Sequence, residues 1–75
     1  MNKARRATLE SIKEQIDDLK CKIEDVQGDE QEAYDNMAES FQMGERGERM
    51  SDGLDALQMA IDYLTDAIDQ IEGVI

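Results

Sequence analysis

Leu9-Glu10-Ser11-Ile12-Lys13-Glu14-Gln15-Ile16-Asp17-Asp18-Leu19-Lys20-Cys21-Lys22-Ile23-Glu24-Asp25-Val26 carries its apolar residues at 9, 12, 16, 19, 23 and 26. The intervals alternate between three and four, the a/d signature of a coiled-coil helix. A second run, Leu54, Leu57, Ile61, Leu64, Ile68, Ile71 and Ile75, repeats that alternation. The chain has no proline to interrupt either run. The spacing predicts helix 1 over about 3–36, a tip over 37–44 and helix 2 over about 45–73.

The two runs mirror each other about residue 40. Leu9 then faces Ile71, Ile12 faces Ile68, Ile16 faces Leu64, Leu19 faces Ile61, Ile23 faces Leu57 and Val26 faces Leu54. Ala33 opposite Gly47 and Met37 opposite Met43 continue the series toward the tip. Every pair joins an a position to a d position, as antiparallel helices require. The expected fold is therefore all-α: an antiparallel two-helix coiled-coil hairpin filling residues 1–75 as one domain, with arms roughly 40–50 Å long at about 1.5 Å per residue. The same pairs also fit a helix 1 that runs straight on into helix 2, giving an open, intertwined dimer.

Composition narrows the function classes. The 75 residues hold 19 acids and 8 bases, a net charge of −11, with no His, no Trp and a single Cys. Without His there is no Ser-His-Asp or Cys-His pair, nor the commonest neutral metal ligand, so no enzyme, metal site or cofactor is expected. One Cys forms no intramolecular disulfide. Cys21 falls at an f position, away from the seam, and reads as an inert surface thiol. The basic start Met1-Asn2-Lys3-Ala4-Arg5-Arg6 is followed by no apolar run, and no stretch approaches the ~20 residues of a membrane span. The expected setting is the cytoplasm, with no membrane partner.

Charge is distributed unevenly. Residues 1–22 carry six bases and four acids, residues 23–49 two bases and nine acids, and residues 50–75 six acids and no base. A chain this acidic repels phosphate backbones, which argues against direct nucleic-acid binding. The aspartates of helix 2, among them Asp55, Asp62, Asp66 and Asp69, read as a solvated face, with a nucleic-acid mimic as the sharper alternative.

One seam between two helices buries too little to offset the ordering of a short chain. A second seam is expected on helix 2, where Ala56, Ala60, Tyr63, Ala67, Gln70 and Val74 recur at 4, 3, 4, 3, 4 spacing with Met59 beside them. Small residues there invite close helix approach, so the hairpins are expected to self-associate into a four-helix bundle or a larger helical homo-oligomer.

The tip, Tyr34-Asp35-Asn36-Met37-Ala38-Glu39-Ser40-Phe41-Gln42-Met43-Gly44-Glu45-Arg46-Gly47-Glu48-Arg49-Met50, is the richest in recognition chemistry. It holds the sole Phe, one of two Tyr and both arginines outside the N-terminus. Arg46 and Arg49, one helical turn apart, form a candidate fork for phosphate or carboxylate at the positive end of helix 2. Tyr34 and Phe41 offer stacking faces, while Asn36 and Gln42 offer polar edges. The bland alternative is that Phe41 and the methionines plug the bundle end and the arginines pair with local acids. Gly47 inside a helix marks a close approach by backbone or ligand.

Tyr34-Asp35-Asn36-Met37-Ala38-Glu39-Ser40-Phe41-Gln42, followed by Glu45-Arg46-Gly47-Glu48, resembles a pattern in short acidic proteins of Firmicutes phages and prophages. The opening Lys3-Ala4-Arg5-Arg6 and the heptads share the resemblance. That family carries Pro where this chain has Ala38, and often Leu in place of Phe41. The resemblance implies a small mobile-element protein acting on or against host machinery, and no site residues.

Three readings follow. The first is a non-enzymatic, homo-oligomeric binding protein that captures a small anionic, nucleotide-like ligand at Tyr34, Asn36, Phe41, Arg46 and Arg49, in the phage setting an anti-defence role. The second is a protein–protein inhibitor or adaptor that meets a host protein through the acidic face or the Met-rich tip. The third is a structural bundle. The density of arginine and aromatic residues at the tip tilts the sequence reading toward ligand capture.

Overall fold

A computed structural model describes residues 1–75. Helix α1 runs Lys3–Asp35, a single helical turn α2 spans Glu39–Gln42, and α3 runs Glu45–Glu72. There are no strands, and α1 packs along α3 as a hairpin with principal-axis extents of 58 × 15 × 12 Å.

Local chemistry sets the ends. The Asn2 side chain accepts the Arg5 amide at 2.8 Å, an N-cap that satisfies one of the free donors of the first turn. α1 ends at Asn36, whose amide donates to the Glu32 carbonyl, while the Met37 amide donates to that of Tyr34, and the chain leaves the helix over Met37 and Ala38. Ala38 is extended, with φ −59° and ψ 143°. A continuous helix through this point is thus excluded for this chain conformation, which folds back rather than forming an intertwined rod. Gly44, extended at φ −88° and ψ −178°, starts α3 without a side-chain cap.

The packed face of α3 is the expected one. Gly47, Leu54 and Ile61 are buried, and Met50, Leu57, Leu64, Ile68 and Ile71 are half-buried.

Helix α1 departs from the expected pairing. Its covered residues are Leu9, Lys13, Ile16, Lys20, Ile23, Gln27, Glu30 and Tyr34. Ile12, Leu19 and Val26 are instead 39%, 54% and 57% exposed. The helix is rolled, so that Lys13, Lys20 and Gln27 stand where Ile12, Leu19 and Val26 were expected. The register moves as well. Gln27 Nε2 donates to Gln58 Oε1 at 2.9 Å, and Lys13 Nζ lies 3.7 Å from Glu72. Both pairs are centred between residues 42 and 43, two to three residues beyond the expected fold point. Long aliphatic stems make the roll tolerable, because Lys13 and Lys20 lie their methylenes over the seam with the ammonium outward.

Lys13 also meets Glu10 at 3.0 Å. Donation to Glu10 outweighs an opposing desolvation effect, attraction to Glu10 and Glu72 adds to it, and the ammonium rises above its ordinary 10.5. A raised lysine pKa contributes stability that is complete at neutral pH and is lost as pH climbs past 10.5 through the folded-state value.

The observed register has a direct test. In a Cys21→Ser background, Gln27→Cys with Gln58→Cys is expected to close an intramolecular disulfide. Val26→Cys with Leu54→Cys, the pair of the expected register, is expected to stay reduced under the same oxidation, as read by non-reducing peptide mapping.

Candidate functional site at the hairpin tip

The tip is held by one close contact and one clamp. A β-carbon added to Gly47 would fall 2.5 Å from Gln42 Cα and closer still to its carbonyl. Only glycine lets α2 lie against the first turns of α3. Gln42 then reaches back, its Nε2 donating to the Tyr34 carbonyl at 2.8 Å. One residue therefore ties the end of α1 to α2 while its own backbone rests on α3. The close approach that Gly47 announced in the sequence is filled by backbone.

Around this clamp the five candidate residues spread out. Tyr34 is half-buried at the end of α1, and Asn36 is exposed at its C-cap. Phe41 points outward from α2 and is 64% exposed, with Met43 beyond it at 79%. Neither plugs the end of the hairpin. Arg46 and Arg49 are exposed on α3, but they do not form a matched fork. Arg49 Nη2 pairs with Glu45 Oε1 one turn back, while Arg46 has no ion pair. The first-turn amides of α3 ahead of Glu48 have no helical acceptor and no side-chain cap, but Glu45 and Glu48 in that turn already answer the positive helix end.

No cavity gathers these groups. The two hollows of the surface both lie on the shaft: one is lined by Glu14, Gln15, Asp18 and Leu19, the other by Leu19, Lys22, Ile23, Val26, Leu57 and Leu64. No three carboxylates or thiols come close enough to hold a metal ion. Cys21 is exposed. No helix is long and apolar enough to cross a membrane.

The candidate association surface divides too. Ala56, Met59, Tyr63, Gln70 and Val74 are exposed, Tyr63 to 65%, whereas Ala60 and Ala67 are half-buried beside the seam. Two residues take places other than those read from the sequence, where Met43 faced Met37 and Gln42 offered a polar edge. Met43 is the most exposed large apolar side chain, and Gln42 is a structural clamp rather than a reader of polar edges. Their roles depend on where α2 sits, which heptad spacing does not encode.

No family model, curated protein or solved structure matches this chain.

Gly47 separates close approach from ordinary helix preference. Gly47→Ala is expected to lower Tm by several degrees, because the Gln42 backbone must move. Gly28→Ala, where nothing lies within 4 Å, is expected to raise Tm by removing a glycine penalty of up to about 1 kcal/mol. Thermal circular dichroism of the two variants reads both signs.

Proposed function

We propose that this chain is a non-enzymatic binding module, a self-associating helical hairpin that presents its tip to another protein as an inhibitor or adaptor. The observation that carries this reading is the exposure of Phe41 and Met43, 64% and 79%, two residues apart at the tip of the hairpin. Exposed single apolar residues are ordinary on protein surfaces, but an aromatic and a methionine both exposed within three residues, at an end held by a clamp, offer two anchors to a partner surface. Acids surround it: Asp35, Glu39, Glu45 and Glu48 favour a partner with a basic rim. In the phage or prophage setting that the tip sequence resembles, the partner is a host protein, and obstruction of host defence is one such task.

Capture of a small anionic ligand is the second reading. Arg46 favours it, since it is the tip arginine without an ion pair and it sits in the first turn of α3 beside unpaired amides. Against it stand the pairing of Arg49 with Glu45 and the position of both surface hollows on the shaft.

Two variants distinguish the readings. Phe41→Ser with Met43→Ser is expected to abolish capture of a stoichiometric protein partner from host extract, with helicity unchanged. Arg46→Glu is expected to weaken that capture less than tenfold. Retained capture by the double variant overturns the tip reading. Native mass spectrometry showing a few hundred daltons of extra mass, lost on Arg46→Glu, replaces it with ligand capture.

A further inference from the structure

The roll of α1 leaves an apolar groove along one side of the hairpin. Leu19, Ile23 and Val26 from α1 and Leu57 and Leu64 from α3 line a hollow of about 540 Å³ with Lys22 at its rim. Helical spacing extends it: Ile12 continues the α1 row, and Gly53, Ala60, Ala67 and Ile71 share the α3 face with Leu57 and Leu64. On a chain in which 36% of residues are charged, that α3 row has no charge at all. Lys22, the charged member of the groove lining, is held by Asp18 at 3.1 Å on its own helix.

We infer that a second copy of this chain seats in this groove, head to tail, to form an antiparallel four-helix bundle. The inference deepens the self-association proposed above and assigns it a face and a direction. Three observations argue for a second copy.

The first is self-complementarity. The groove lies near the middle of both long helices, and a twofold axis through its centre sets Leu19 of one copy against Val26 of the other and Leu57 against Leu64, the reciprocal contacts of an isologous interface. The second is area. The hairpin as a whole is 58 Å long and 15 Å across, so two copies stacked along their full length overlap over roughly 800 Å² in projection, a footprint comparable with what each partner contributes to a standard interface.

The third is charge. Residues 21–64, the tip half of the hairpin, hold 12 acids and three bases, a charge of −9. The remaining residues hold seven acids and five bases, a charge of −2. A parallel dimer would set the two −9 halves side by side, whereas a head-to-tail dimer puts each against the weakly charged open end of its neighbour. That end carries Lys3, Arg5 and Arg6, so the electrostatics choose the direction.

The expected face, Ala56, Met59, Ala60, Tyr63, Ala67, Gln70 and Val74, shares Ala60 and Ala67 with this groove and is the competing solution; Tyr63, which lies outside the groove, separates the two. Leu19→Glu and Tyr63→Glu are each surface substitutions, at positions 54% and 65% exposed, so both hairpins keep their helicity. Sedimentation equilibrium of wild type is expected to give a dimer, and Leu19→Glu is expected to raise the dissociation constant at least 100-fold. Tyr63→Glu is expected to change it less than tenfold.

Direction is read in a Cys21→Ser background. A mixture of Ile12→Cys and Ala33→Cys proteins is expected to cross-link to each other, and neither to itself. A wild-type monomer throughout the micromolar range overturns both this inference and self-association. A dimer broken by Tyr63→Glu and not by Leu19→Glu overturns the groove alone. Cross-linking of Ile12→Cys to itself overturns the head-to-tail direction.

Discussion

Gly47 has no β-carbon, and the backbone of Gln42 occupies the place where one would be. This contact sets how closely α2 lies on α3, and so where the end of α1 is delivered. The Gln42 side chain completes the arrangement by donating to the Tyr34 carbonyl. From that point the hairpin is a lever. A shift of a residue or two at the turn is carried along the whole of α1, because a 33-residue helix has no break in which to absorb it.

The roll of α1 decides which of its apolar residues stay uncovered. Its apolar stripe is wide enough for two rows, Leu9-Ile16-Ile23 and Ile12-Leu19-Val26, while a single neighbouring helix covers one row well. The first row is taken by α3, and lysine and glutamine stems close the other flank of the seam. The second row is left beside Leu57 and Leu64. Three buried residues in the whole chain, none of them charged, leave the interior of the hairpin thin. Covering the second row is the most direct way to enlarge it.

The tip and the groove make different physical demands. At the tip, Phe41 and Met43 stand clear of the fold, so nothing in the hairpin covers them and their removal leaves the clamp intact. Along the groove the side chains already share one face. A partner there adds burial continuous with the existing seam. Arg46 and Arg49 show how composition misleads at a helix start: at a spacing of three they form a fork on paper, yet Glu45 lies one turn back from Arg49 and claims it.

From residues alone one reads two helices, their antiparallel pairing and a tip between them, because heptad periodicity and the absence of proline are properties of local sequence. The buried face of α3 was equally readable, since its apolar row is backed by charge and admits one orientation. The rotation of α1, the register of the pairs and the fate of the tip residues were decided only in three dimensions. A stripe two rows wide has two ways to meet one helix, and local periodicity does not distinguish them. The contact of the Gln42 backbone with Gly47 is of the same kind, since it exists only once the chain has turned.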